Sequence, residues 1–244
     1  MTTIARIPRL YVEAPLDAGA TVRPERGQCH YLHHVMRLRA GDRVRLFNGR
    51  NGEWLCIVTS AGKRCELTCE EKLADPAPPP DIDYVFAPLK HARLDYMAQK
   101  ATEMGARRLR PVFTDHTVPK RVNTERLRAN AIEAAEQCNL VHVPEVLEPV
   151  RLDRLLEDWP EERRIIHCDE SAEVANPVEA LRELQQGPLA VLIGPEGGFS
   201  DREKRLLRGL PFVHPISLGP RIMRADTAAV AALAIVQAVL GDWN

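Results

Sequence analysis

The stretch LAVLIGPEGGFSDREK, residues 189–204, reads as three elements in a row. Five consecutive apolar residues make a strand buried on both faces, as strands of parallel sheets are. Gly194-Pro195-Glu196-Gly197-Gly198 makes a tight turn, and Ser200 with Glu203 makes a capping box that opens a helix. Strand, glycine turn and helix start, in that order, is where open α/β sheets bind ligands: glycines let backbone amides come close, and a helix start favours negative charge. A tight turn without a ligand is the alternative reading of the same residues.

A second segment repeats the pattern. Leu218-Gly219-Pro220-Arg221-Ile222-Met223-Arg224 ends a strand at 213–218 and leads into a helix over 227–240. Two such loops on one sheet edge can wall one pocket. Working back from them, apolar runs at 82–87, 109–113 and 164–168 read as strands. One helix carries Leu94, Met97, Ala98, Ala101 and Met104 on one face and ends at Gly105; another spans 124–138 behind Asn123; a third opens at Asn176-Pro177. Alternating strands and helices imply an α/β domain with a mostly parallel sheet covered on both faces. The turn lacks the Gly-Lys-Ser/Thr ending of a P-loop, and neither GxGxxG nor GxSxG occurs, which removes support for nucleotide hydrolysis, dinucleotide redox chemistry and serine-hydrolase chemistry.

The segment LADPAPPPD, residues 73–81, has four prolines in nine positions and reads as a linker between a first domain at 1–72 and a second at 82–244. Before it, RVRLF at 43–47 and EWLCIVT at 53–59 flank Asn48-Gly49-Arg50-Asn51-Gly52, as antiparallel strands flank a turn, and a small β-barrel is expected with one helix at about 25–36. The 244 residues are 45% hydrophobic and 27% charged, the composition of a folded soluble protein. No apolar run approaches the roughly 20 residues of a membrane span. The opening MTTIARIPRL has no secretory core, and six cysteines without framework spacing read as reduced thiols of a cytoplasmic protein. Net charge is −1, yet 12 basic residues face 9 acidic ones over 1–75 while 11 face 16 over 146–244, and 27 of the 33 basic residues are arginine. Arginine pairs with phosphate through two hydrogen bonds, so RNA or DNA enters as a candidate partner.

GPEGGFS together with LGxRIMRxDTA, the helix LDYMAQKATEMGA, the run AAEQC and the N-terminal HVMRLRAGDRVRLFNGRNGEW resembles the RsmE family of SPOUT methyltransferases over nearly the whole chain. The resemblance implies a trefoil-knotted parallel sheet domain preceded by a PUA-like RNA-binding barrel, a homodimer, and methylation of N3 of uridine 1498 in 16S rRNA with S-adenosylmethionine (SAM). By similarity Gly194, Glu196, Gly197 and Gly198 form one SAM loop; Leu218, Gly219, Ile222 and Met223 form the other; and Leu192 and Ile216 end the strands beneath the adenine. The chain departs from the family at Met223 and Asp226, where Leu and Glu are common, and at Leu140, where an arginine is common.

Methylation at N3 requires that a weakly acidic proton leave. Arg221 and Arg224 are candidates for holding phosphate or the uracil oxygens, with a surface or dimer salt bridge as their alternative role. Asp226 is a candidate base or a partner of Arg224, although an Asp directly before a helix reads first as its N-cap; Glu196 is a second base candidate, a SAM-positioning group or a solvated loop carboxylate. In the first domain Arg6, Arg9, Arg37, Arg39, Arg43 and Arg45 are candidate phosphate contacts, and Arg107, Arg108 and Arg110 with Lys120 and Arg121 form a second basic cluster. His30, His33 and His34 lack a carboxylate or cysteine partner, and no metal site is expected.

Overall fold

The computed structural model describes residues 7–62, 64–90, 92–172 and 176–243; Arg6 lies outside them. The chain divides into two units, Met1–Pro78 with Ala135–Val143, and Pro79–Ala134 with Pro144–Asn244.

The first unit holds a curled five-stranded half-barrel in the order β1 (Arg9–Tyr11), β3 (Arg43–Phe47), β4 (Glu53–Ser60), β5 (Glu66–Ala74), β2 (Thr21–Val22). β1 pairs parallel with β3 and the other pairings are antiparallel. Alternating side chains put Val44, Leu46, Cys56, Val58, Leu67 and Cys69 into one core. The β3–β4 turn forms because the Asn48 side-chain oxygen accepts from the amides of Arg50 (3.0 Å) and Asn51 (2.8 Å). Gly52 closes the turn at φ +80°, where an added Cβ would strike the carbonyl oxygen of Ala74. β5 reaches two residues into the proline-rich segment.

The expected helix is two pieces, α1 (Arg26–His30) and a π-helical turn (Tyr31–Val35), in which the amide of Met36 donates to the carbonyl of Tyr31, five residues back, at 3.0 Å. Cys29 and Leu32 face the core. The expectation of reduced thiols is corrected here. Cys29 and Cys65 form a disulfide with Cα atoms 5.5 Å apart, because α1 packs onto the turn before β5, a proximity across 36 residues that spacing does not reveal. Cys56 and Cys69 lie opposite each other on β4 and β5 as free thiols, the Cys56 thiol donating to Sγ of Cys69 at 3.2 Å.

The second unit is built on a parallel sheet ordered β12 (Val213–Ile216), β10 (Arg164–Cys168), β11 (Leu189–Ile193), β6 (Ile82–Phe86), β7 (Arg108–Phe113), β8 (Glu145–Val146), with β9 (Val150–Arg151) also paired to β7. β6 and β11 are buried along their whole length, which is why they read as continuous apolar runs. Their helices are α2 (Ala92–Glu103), α3 (Thr124–Gln137), α4 (Leu152–Glu157), α5 (Pro177–Arg182), α6 (Asp201–Arg208) and α7 (Ala225–Leu240). The caps are those expected: Asn123 accepts from the amide of Arg126, Asn176 from that of Val178, and Ser200 with Glu203 completes a capping box. α7 starts two residues earlier than expected and packs on α2, α5 and β11. No helix among the described residues is long and apolar enough to cross a membrane.

Candidate ligand pocket at the carboxyl ends of β10, β11 and β12

Three neighbouring parallel strands end at Cys168, Ile193 and Ile216, and the loops that follow them wall a cavity of about 270 Å³. Strand order puts β10 between β11 and β12, so the chain reverses direction across the sheet at this edge, which is where α/β sheets hold ligands. Of the residues expected around a ligand, Gly194, Glu196, Gly198, Leu218, Gly219, Ile222 and Met223 line the cavity, and Arg221 and Arg224 stand at it too. Leu192 and Ile216 lie in the strands below the cavity, at 0% and 1% exposure. Gly197 faces His116 rather than the cavity.

The β11 loop, 194–198, is held from several sides. The ring of Phe199 packs so closely on Gly194 that a Cβ there would lie 2.7 Å from Cε2. Phe199 in turn meets His167 edge to face at 5.0 Å. The carbonyls of Gly197 and Gly198 lie 3.0 and 3.1 Å from Nδ1 of His116, which can donate to both. Beyond the loop, the hydroxyl of Ser200 donates to Asp115 at 2.6 Å, and buried Glu203 accepts from the amides of Asp115 and Ser200. These bonds from Ser200, Arg202 and Arg151 pull the Asp115 carboxyl down to about 2.

The β12 loop, 217–224, is bare by contrast. Its bonds join the Ser217 hydroxyl to Gly219 at 3.3 Å, Gly219 takes φ +110° with open space around it, and Ile222 is 89% exposed. Among the described residues, Arg221 and Arg224 have no hydrogen-bond or ion-pair partner for their side chains. Arg224 is the N-cap residue of α7, so Asp226 sits inside the first turn and is not the cap; it lies off the cavity wall, with Oδ2 3.9 Å from Nε of Arg93. Arg93 on α2 also reaches Glu196, at 3.4 Å. Both candidate bases thus converge on one guanidinium, that of Arg93, which no local pattern singles out.

The third wall, after β10, went unpredicted. His167, Cys168, Asp169 and Glu170 line the cavity. Burial holds His167 neutral, at about 4, and pushes the Cys168 thiol up to about 12. Nε2 of His167 is buried without a hydrogen-bond partner among the described residues, and its ring lies against Phe199. Burial raises the Asp169 carboxyl, but the hydroxyl and amide of Ser171, with His167 and Arg208, outweigh this and leave it below the usual range. The strand 164–168 was legible; its place between the other two was not.

Two of the expected phosphate contacts are corrected. Arg9 is 7% exposed, pairs with Glu53 at 2.6 Å, donates to the carbonyls of Ala135, Glu136 and Leu140, and stacks on Phe47 at 4.3 Å. Arg45, 8% exposed, bonds the carbonyl of Ile7 and the side chain of Asn139. Both are interior groups with their donors committed. Arg43 is exposed and lies 3.8 Å from Glu70, while Arg37 and Arg39 are exposed with free side chains among the described residues. The second basic cluster is likewise partly spent: Arg108 and Arg110 pair with buried Asp83 at the amino-terminal ends of β6 and β7, away from the pocket.

Fold and pocket define a class: a parallel α/β domain with a ligand site walled by two glycine loops, in one chain with a small curled β domain. Residues 76–237 match the RNA methyltransferase domain family and residues 25–68 match the RNA methyltransferase PUA domain, so the chain belongs to this RNA methyltransferase family. It is similar to ribosomal RNA small subunit methyltransferase E of Rickettsia conorii, 29% identical over 94% of both chains, and to that of Aquifex aeolicus, 32% identical over 75% of this chain and 80% of the relative. Among solved structures it resembles ribosomal RNA small subunit methyltransferase E of Neisseria gonorrhoeae bound to SAM, with TM-score 0.87 and 26% identity over 98% of this chain and all of that one. A putative methyltransferase of Legionella pneumophila with bound SAM gives TM-score 0.85 and 29% identity over 97% and 99%. The RsmE resemblance drawn from the motifs therefore stands.

Proposed function

We propose that the protein transfers the methyl group of SAM to N3 of one uridine in 16S rRNA, the equivalent of uridine 1498, within the small ribosomal subunit, and works as a cytoplasmic homodimer. The observation that carries this reading is the cavity itself, walled by the glycine loops after β11 and β12 with two uncommitted arginines at it. SAM fits the groups present. Aliphatic Ile193, Leu218 and Met223 with glycine backbone suit adenine, the carboxylates Asp169, Glu170 and Glu196 suit the sulfonium and ammonium charges, and Lys204 suits the carboxylate. Bound SAM supplies an electrophilic methyl group.

The protein's own residues do the rest. Arg221 and Arg224 hold the uracil oxygens, where charge grows as N3 loses its proton, and so favour the anion that attacks. A carboxylate, Asp226 or Glu196, takes that proton; N3 gains the methyl carbon, and the carbon–sulfur bonding pair stays on sulfur. Arg93, between the two carboxylates, fixes where they stand. The target base must swing out of its stack before its pairing edge is reachable.

The test incubates the protein and SAM with small subunits lacking the modification and maps the product by primer extension, because an N3 methyl blocks the pairing edge. A single SAM-dependent stop near the 3′ end of 16S rRNA is expected. No stop, with SAM binding demonstrated separately, would move the substrate to another RNA.

A further inference from the structure

We propose that His116 is a positioning residue for cofactor binding: it grips the glycine loop after β11 from outside the cavity and, through Nδ1, turns the peptide that carries the Phe199 amide so that this donor faces the ligand. The inference rests on SAM being what the cavity holds, and names the side chain that sets the loop for it. His116 follows the end of β7, two places from β11 in the sheet, and does not itself line the cavity.

The turn that presents His116 is closed on itself. The amide of Thr117 donates to the carbonyl of Thr114 at 3.1 Å, the amide of Thr114 donates to Oγ1 of Thr117 at 2.9 Å, and the two hydroxyls lie 2.8 Å apart. Both threonines are buried, and the two residues between them stand outward. Asp115 takes the start of α6, accepting from Ser200 and Arg202 and donating its amide to Glu203. His116 takes the loop itself. Nδ1 lies 3.0 and 3.1 Å from the carbonyls of Gly197 and Gly198, and a Cβ added at Gly197 would sit 3.4 Å from that of His116.

Two acceptors facing one ring nitrogen fix its protonation: a carbonyl cannot donate, so Nδ1 carries the hydrogen whether the ring is neutral or charged. The planar trans peptides then fix what lies behind each carbonyl. Behind that of Gly197 is the Gly198 amide, which is spent on the carbonyl of Pro195 at 2.9 Å and closes the turn. Behind that of Gly198 is the Phe199 amide, which points away from His116, on the side where Gly198 and Phe199 line the cavity. This amide has no hydrogen-bond partner among the described residues. One gripped peptide therefore tightens the loop, and the next aims a free donor at the ligand.

The test measures SAM binding to the full-length protein by calorimetry without RNA, beside methyl transfer to small subunits. His116→Ala should weaken SAM binding about tenfold, the worth of one to two hydrogen bonds, and raise the KM for SAM with kcat unchanged. His116→Asn puts an amide nitrogen where Nδ1 stands and should restore the affinity; His116→Gln, whose nitrogen lies one bond further out, should not. Nitrogen chemical shifts at alkaline pH should show the ring in its Nδ1–H form. A His116→Ala variant that binds SAM like the parent, a His116→Asn variant as weak as the alanine, or a neutral ring in the Nε2–H form overturns the proposal. Failure of the proposed function looks different: a parent that binds SAM but gives no primer-extension stop loses the substrate, while the His116 variants are still read by their SAM affinity.

Discussion

Loop 194–198 and loop 217–224 meet at one cavity and follow parallel strands that flank β10 in the same sheet, yet they are supported in opposite ways. The first is plugged by Phe199, bonded by His116 and backed by the Asp115, Ser200 and Glu203 network. The second has its own Ser217 to Gly219 bond, an almost fully exposed isoleucine and two free arginines. One wall is preset before anything binds; the other carries its charged side chains uncommitted. Rigid positioning and uncommitted charge are different requirements, and this edge of the sheet meets each with a separate loop.

The largest effect should come from the bare loop. Arg224→Ala and Arg221→Ala should each lower the rate of methyl transfer by about a hundredfold or more while leaving the thermal midpoint unchanged. A fall in stability in place of activity would show that these arginines are structural and erase the contrast. Next in size is His167, the support beneath Phe199. Its folded value of about 4 lies below that of a free histidine, so the unfolded chain takes up the proton first on acidification. Stability is complete above about pH 6.5 and falls as pH drops toward 4, by on the order of 3 kcal/mol. Denaturation of a His167→Phe variant should show that slope flattened.

A matched pair of glycine substitutions sharpens the comparison further. Gly194→Ala puts a Cβ into Phe199 and should cost about 1–3 kcal/mol of stability with loss of affinity for the SAM product by calorimetry. Gly219→Ala meets no neighbour and strains only its φ, costing about 1 kcal/mol. Equal costs would mean the two loops are equally loose. Smallest of all, Asp115→Asn should lower the thermal midpoint slightly at pH 7. The gap should close as pH falls toward about 2, where the parent's own carboxylate is protonated and its advantage is gone.

What the sequence shows plainly is whatever depends on neighbours along the chain. Buried strands β6 and β11, the Asn123, Asn176 and Ser200 caps and the Asn48 to Gly52 turn are local patterns, and each is where it was expected. What it hides depends on distant neighbours. Nothing near Arg9 announces that Glu53 and three carbonyls at 135, 136 and 140 will surround it, so a buried arginine looks like a surface one. Cys29 and Cys65, the third wall after β10, and Arg93 beside Glu196 were invisible for the same reason. The two-residue strands β8 and β9 are too short to leave any period.

The commitments of Arg9 bear on how the molecule can be divided. Its guanidinium is buried on carbonyls that come from 135–140, more than a hundred residues downstream, and helix α3 begins in the second unit and ends in the first. A gene fragment stopped at the proline-rich segment would contain every strand of the half-barrel and keep Glu53, yet leave the buried Arg9 guanidinium without its carbonyl acceptors at 135, 136 and 140, at a cost in stability. The smallest cassette that could be moved, swapped or expressed as this module is therefore discontinuous, joining residues 1–78 to 135–143.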